Sequence, residues 1–330
     1  MRRRRRPRPS GVVTLLTDFG LNDTYVGTVK GVLLAINPRV RLVDLTHAVP
    51  PQDIRRAALL LEAAWRFFPC GSVHLAIVDP GVGGSRRPIA VEAGGHYFVG
   101  PDNGLLGFCL DLPGARGVVL ADARYHRRPI SRTFHGRDVF APVAAHCSRG
   151  VRLTAFGPRL SHPVRLSGSE PRRIGGRVEG EVLLVDRFGN LVTSLRGREL
   201  PGPVDRGVLR IGAARVRGLA GTYAERPRRT LGALIDSSGR VEVFVREGSA
   251  RQRLGIGPGA PVSWRASGLA SASTPTRPTR RSRSRRSSTP HRSTTRRPSR
   301  PSPVPGSGPG RRSTSSRPPS PSSGPGRGSR

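Results

Sequence analysis

Short apolar runs recur along this chain, and each closes on a cluster of Asp, Gly, Asn or His. The clusters are Thr17-Asp18-Phe19-Gly20, Val78-Asp79-Pro80-Gly81-Val82-Gly83, Gly100-Pro101-Asp102-Asn103-Gly104, Thr133-Phe134-His135-Gly136-Arg137-Asp138 and Asp186-Arg187-Phe188-Gly189-Asn190. A run of five or six apolar residues bounded by turn residues fits a strand buried on both faces of a parallel sheet. Ligands of open α/β sheets bind at the carboxyl ends of the strands. Five polar strand ends therefore predict one composite small-molecule site.

The segments between the runs carry helical periodicity. After a strand at Gly11–Leu16, Asp23 is placed to cap a helix over Thr24–Ile36, whose apolar positions Val26, Val29, Leu33 and Ile36 share one face. Asn37-Pro38 stops it. A strand at Val40–Leu45, a helix at Asp53–Phe68 ended by Pro69, and a strand at Val73–Val78 follow. Ile89–Glu92 with Tyr97–Val99 reads as a hairpin, Leu105–Leu110 as a helical piece, and Asp138–Arg149 as a helix with Asp138 at its cap. Alternating strands and helices predict an α/β layered domain with a mostly parallel sheet over residues 11–168. From residue 175 to 266 the pattern changes to short strands: Arg177–Val185, Leu191–Leu195, Val208–Ile211, Val216–Leu219, Leu231–Ile235, Val241–Val245 and Pro261–Trp264, with one helical turn at Ser249–Leu254. That spacing predicts an all-β, barrel-like C-terminal domain.

The formal charge of +36 is concentrated at the ends, with six Arg in residues 1–8 and fifteen Arg but no Asp or Glu in 268–330. Such termini cannot bury enough apolar surface to offset the entropy of ordering them. Residues 1–10 are expected to be a disordered basic arm and 267–330 a disordered Arg/Ser/Pro-rich tail, either a functional basic segment or the read-through end of a GC-rich gene. Aromatic side chains for base stacking are nearly missing from both ends, so nucleic-acid contact through them is secondary rather than the main function. Lys30 is the sole lysine, which with the abundance of Gly, Pro and Ala points to coding bias in a GC-rich genome. Cys70, Cys109 and Cys147 fit neither a disulfide framework nor a zinc site. With no signal-like or membrane-length apolar run, a cytoplasmic protein is expected.

Taken singly, the candidate residues have ordinary readings. Asp18, Asp23 and Asp186 could be caps or turn formers, His47 and His74 structural, and the Asp79–Arg86–Arg87 loop an internal ion pair. The Gly81–Gly84 loop leads into another strand instead of a helix, which removes the phosphate-loop reading.

Taken in order, the five motifs, with Thr46-His47 and Ser237-Ser238-Gly239, resemble the S-adenosyl-L-methionine hydroxide adenosyltransferase family, relatives of fluorinase and chlorinase, from about Val12 to Arg265. The resemblance implies an α/β N-terminal domain, a β-barrel C-terminal domain, and a homotrimer whose substrate lies between the N-domain of one subunit and the C-domain of the next. It implies Asp79, Arg86 and His135 as the catalytic group around a nucleophilic water, Asp18 on the ribose diol, and Asp23 and Asp186 near the methionine ammonium. Ser237 falls where the methionine carboxylate is held, and Asn190 where the adenine edge is read. The implied reaction is hydrolysis of S-adenosyl-L-methionine to adenosine and methionine, with no metal or other cofactor.

Two rivals are a halide-using synthase and an Arg-rich nucleic-acid binder. The negative charge of Asp79 and the direct Gly94-Gly95 turn, where fluorinase carries an insertion, disfavour the halide. The chain departs from the family pattern at Thr193-Ser194, where Thr-Asn is usual, and at Arg246-Glu247-Gly248, where an Asn-rich turn is usual.

Overall fold

All six residues of β1 (Val12–Thr17) are buried, as a strand apolar on both faces requires. The computed structural model describes residues 7–166, 168 and 170–266. The tail expected at 267–330 and residues 1–6 of the expected arm lie outside the described residues. Within 7–10, the Pro7 carbonyl accepts from the Tyr97 hydroxyl at 3.1 Å and Ser10 Oγ meets Ser72 Oγ at 2.9 Å.

From β1 the chain enters α1 (Tyr25–Ile36), β2 (Arg41–Thr46), α2 (Ile54–Ala64), β3 (Val73–Ile77), the hairpin β4 (Pro88–Ala93) and β5 (His96–Pro101), β6 (Arg116–Val119) and α3 (Ala141–Ser148). The sheet order is β2-β1-β3-β5-β4-β6. The β1–β2, β1–β3 and β3–β5 pairs are parallel, while β4 is antiparallel to both β5 and β6. Side-chain alternation along β1 divides the core. Val13 and Leu15 pack with Val29 and Leu33 of α1 and Val143 and Ala144 of α3, whereas Leu16 packs with Ala57 and Leu61 of α2 on the opposite face. Helices therefore cover both faces, and the strand order turns back at β1 and β3, whose carboxyl ends form the cleft where such sheets take ligands.

The second half is built almost wholly of strands. These are β7 (Arg172–Ile174), β8 (Arg177–Val185), β9 (Leu191–Arg196), β10 (Val208–Ile211), β11 (Ala214–Arg217), β12 (Leu231–Ile235), β13 (Arg240–Val245) and, after the short α4 (Ala250–Leu254), β14 (Pro261–Arg265). They pair antiparallel in the order β11-β10-β14-β8-β9-β13-β12, and an Ala220–Leu234 bridge brings the two ends of that order near one another, giving a nearly closed barrel. Trp264, fully buried, fills its core with Leu195, Leu209 and Val243. The halves meet through Glu62 of α2, which accepts from Arg196 at 2.8 Å and Arg240 at 2.7 Å, and through Arg55 on Glu181 at 2.7 Å.

Three local expectations change. Thr24, not Asp23, stands at the N-terminus of α1, with no side-chain cap. The helix expected over Asp53–Phe68 ends at Ala64 in a tighter turn at Trp65–Phe67, while Asp53 does cap it, accepting from Arg56 N at 2.9 Å. The segment read as one helix from Asp138 begins as a wide π-type turn at Gly136–Phe140. Asp138 is inside it, fully buried, accepting from Ser131 N and from Arg137. The Ser131 backbone N–H and the Arg137 guanidinium occupy the carboxylate in place of a capping contact.

A buried histidine pair lies on the α2 face. His74 is bonded to Thr14 Oγ1 at 2.8 Å and to His96 Nδ1 at 3.1 Å, stacked on Phe98. Two imidazoles sharing one hydrogen bond cannot both be protonated. Burial, and then the neighbouring His96, push His74 down to about 3. The unfolded chain takes up protons near pH 6.5 that the fold refuses, so stability is complete above that pH and falls as pH drops toward 3, by ~1.4 kcal/mol per unit for one group. Urea midpoints between pH 7 and 4 should show this loss, and His74→Gln should flatten the dependence by about one proton's worth.

Candidate active site

The register that pairs Thr17 with Ile77 brings the loops after β1 and β3 out of the sheet side by side, Asp18 on one and Asp79 on the other. The 79–86 loop returns so that Arg86 Nε donates to Asp79 Oδ1 at 2.8 Å and Arg86 Nη2 to Oδ2, a two-pronged pair. Nη2 also donates to His135 Nδ1 at 2.8 Å. Asp79 and Arg86 side chains are 6% and 9% exposed, and the guanidinium lies over the Phe140 ring. The three residues expected to act together are joined by direct hydrogen bonds.

This geometry fixes protonation. A guanidinium only donates, so His135 Nδ1 accepts and the proton of the neutral ring sits on Nε2. Burial, then the Arg86 charge, lower the His135 pKa, against a smaller opposing pull from Asp79 and Asp138. Nη1 of Arg86 is buried and has no hydrogen-bond partner among the described residues. The group thus offers N–H donors. The carboxylate of Asp79 is occupied by Arg86, and His135 has no free basic nitrogen toward a ligand. The halide argument drawn from the charge of Asp79 weakens for the same reason, since Arg86 neutralises it. The tight β4–β5 turn at Gly94-Gly95, with φ of 58° and 84°, is present as expected.

Arg87, expected in the same loop, turns away. It pairs with Asp102 and donates to the carbonyls of Ser161 and His162, while Asn103 Nδ2 donates to the Val78 carbonyl. The Gly100–Gly104 motif is thereby a brace for the site loops. Asp18 Oδ2 accepts from Gln52 N at 2.9 Å, and Gln52 holds a left-handed φ of 67°, a conformation that costs a non-glycine residue ~1–3 kcal/mol. Thr17 Oγ1 on His47 Nδ1 at 2.8 Å, with Gly20 N on the His47 carbonyl, anchors this loop and gives His47 its structural role. Phe19, Tyr25 and Phe134 meet edge-on or tilted at 5.3–6.1 Å, closing the Asp18 loop against the His135 loop. Asp23 is exposed in the turn before α1.

The remaining candidates are on the barrel. Asp186, between β8 and β9, accepts from Phe188 N and Asn190 N, and from Asn190 Nδ2 at 3.1 Å. It is a turn former here, as its ordinary reading held. Ser237 is exposed in the β12–β13 turn, beside Arg66, Arg196 and Arg240. A cleft of about 690 Å³ between α2 and the barrel contains Glu62, Arg196 and Arg240 but none of Asp79, Arg86 and His135. Missed from sequence were Tyr223 and Glu242, which join Asn190. Glu242 alternates with Val241 and Val243 in an apolar strand and so reads as a solvent-facing position, yet it is 5% exposed. No three His, Cys, Asp or Glu side chains among the described residues converge to hold a metal, and no described helix is long and apolar enough to cross a membrane.

Gly83 sets how close the two loops approach. Its φ is 75°, and a Cβ there would run into the Arg132 carbonyl oxygen. Gly83→Ala should destabilise the fold by ~1–3 kcal/mol, read as a lower urea midpoint, because both the backbone conformation and the contact forbid a methyl group.

Comparison with known proteins gives a family. Residues 13–157 match the SAM hydroxide adenosyltransferase N-terminal domain and residues 180–263 the C-terminal domain of the same family. A Thermus thermophilus protein named (R)-S-adenosyl-L-methionine hydrolase is 44% identical over 259 residues, 76% of this chain and 98% of that one. A fluorinase from an Actinoplanes species is 26% identical over 217 residues, 57% of this chain and 73% of that one. A crystal structure of an uncharacterised conserved protein from Thermotoga maritima superposes with a TM-score of 0.72 at 35% identity, over 77% of this chain and 99% of that one.

Proposed function

The chain belongs to the S-adenosyl-L-methionine hydroxide adenosyltransferase family, and we propose from that premise that it hydrolyses S-adenosyl-L-methionine to adenosine and L-methionine. The observation that carries the reading is the Asp79–Arg86–His135 group, with a buried, unpartnered Arg86 Nη1 and an imidazole whose remaining N–H is on Nε2. Two donors beside a cation suit a water or hydroxide nucleophile. Attack on the ribose 5′ carbon is in line with the departing sulfur. The carbon–sulfur bond breaks with its electron pair going to sulfur, and methionine leaves neutral at sulfur, so no acid is needed. The proton of an attacking water passes to solvent, and Arg86 favours the more hydroxide-like nucleophile by its charge. Asp79 keeps the guanidinium in place. Alignment supplies much of the acceleration. The scheme needs no metal or other cofactor.

In this reading Asp18 takes the ribose diol, Asp23 and Asp186 lie near the methionine ammonium, Ser237 holds the methionine carboxylate near the surrounding arginines, and Asn190 reads the base. The Asp18 and Asp79 loops are on the α/β half and Asp186, Asn190 and Ser237 on the barrel. A homotrimer with each site between the N-domain of one subunit and the C-domain of the next accounts for that division. Leu21, Tyr25 and Phe188, exposed by 76%, 48% and 76%, are then covered by the neighbouring subunit. A cytoplasmic location fits the substrate.

Asp79→Ala and His135→Ala should each lower kcat by roughly a hundredfold or more while leaving KM within about threefold, since alignment rather than substrate binding is lost. Near-normal turnover of both variants would remove the group from the reaction. Protonation of His135 would convert Nδ1 into a donor facing Arg86. The rate should therefore be level at neutral pH and fall on the acid side, below the ordinary histidine range. A rate that rises as pH falls would contradict the donor arrangement.

The halide-using reading keeps one point in its favour, because the same donors would accept chloride or fluoride. The short Gly94-Gly95 turn and the higher identity to the hydrolase than to the fluorinase weigh against it.

A further inference from the structure

Glu242 is a buried ionisable group that the hydrolysis does not use. It sits within β13, every residue of which is buried. Its Oε1 accepts from the Tyr223 hydroxyl at 2.8 Å, and its other polar neighbours are Asn190 and the carboxylates of Asp186 and Asp236. Burial raises the Glu242 carboxyl above the usual range and the two Asp charges add to this, while the hydrogen bonds from Tyr223 and Asn190 oppose it. In the β9–β13 pairing Glu242 stands opposite Val192, which makes Asn190 its diagonal neighbour on the same face.

Asn190 is 7% exposed and its Nδ2 already donates to Asp186 Oδ2. An amide nitrogen has two hydrogens, and here carboxylates stand on both sides of it. A flipped amide would set its oxygen against two acceptors, so the orientation is fixed by charge. The side-chain oxygen is the part left to meet a ligand. Tyr223, 47% exposed and packed edge-on against Phe244 at 4.9 Å, holds Glu242 from the other side through its hydroxyl.

We propose that Glu242 is a positioning residue that, with Asp186, holds Asn190 with its acceptor oxygen toward the ligand, so that the site takes a 6-amino purine and rejects a 6-oxo purine. The proposal rests on Asn190 being the base-reading residue, as in the function proposed above. A 6-oxo purine places an acceptor where Asn190 also accepts, and an unmet acceptor in a buried contact costs roughly ten- to a hundredfold in affinity.

The test is calorimetric titration of the full chain with adenosine and with inosine, for the wild type, Glu242→Gln and Asp186→Asn, beside a wild-type assay of S-adenosyl-L-methionine hydrolysis. The wild type should prefer adenosine by roughly ten- to a hundredfold. Glu242→Gln, whose side chain can donate as well as accept, frees the amide to turn and should bring the ratio below about threefold. Asp186→Asn should do the same, and it decides the matter if Glu242→Gln does not fold. A variant that weakens both nucleosides equally and keeps the wild-type ratio shows a merely structural role and overturns the proposal. So does a wild type that binds both equally or binds neither. Failure of the hydrolysis reading shows separately, as discrimination between the nucleosides without turnover.

Discussion

The two-pronged bond between Arg86 and Asp79 is the interaction on which the site depends. Both side chains are nearly buried, and taking either charge out of water alone would be prohibitive. Together they neutralise each other and hold the guanidinium in one plane, from which it reaches His135. The rest of the α/β half serves this contact. Adjacent strand ends at β1 and β3 bring the Asp18 and Asp79 loops together, Gly83 lets the returning loop pass the Arg132 backbone, and Arg87 on Asp102 braces the other side. Removing one partner would leave an uncompensated buried charge, a loss of about 3–5 kcal/mol in comparable cases.

The two halves are joined by charge as well. Glu62 takes two arginines of the barrel, and against the opposing cost of burial Arg196 and Arg240 hold its carboxyl below the usual range. Arg240 follows the turn that carries Ser237, so α2 reaches from Gln52 and Asp53 beside the Asp18 loop to the foot of the Ser237 turn. One helix thereby fixes the heights of two groups that the proposed trimer would place in different sites.

Much of this was legible in the chain itself. Val26, Val29 and Leu33 gave away the buried face of α1 because burial selects apolar residues at helical spacing. The barrel strands were legible from short apolar alternation between turn residues. Asp79 and Arg86, 7 residues apart, could be read together as one loop, but His135, 49 residues from Arg86, could be joined to them only through the resemblance, because topology and not spacing brings it there. What failed to show in the sequence was the choice among equivalent hydrogen-bond partners. Asp23 and Asp138 were both plausible caps; neighbouring backbone and arginine donors decided otherwise for Asp138, and Thr24 occupies the position expected of Asp23. Glu242 was hidden because alternation alone cannot tell a strand's solvent face from a polar pocket inside a barrel end.

The donors of Arg86 and His135 are the chemical centre of the account, and they could align either water or a halide. The most direct measurement is mass spectrometry of the nucleoside formed when the protein turns over S-adenosyl-L-methionine in ¹⁸O-labelled water containing chloride or fluoride. The account predicts adenosine carrying one ¹⁸O at the 5′ position whatever halide is present. A 5′-halogenated nucleoside, or adenosine without the label, would contradict it.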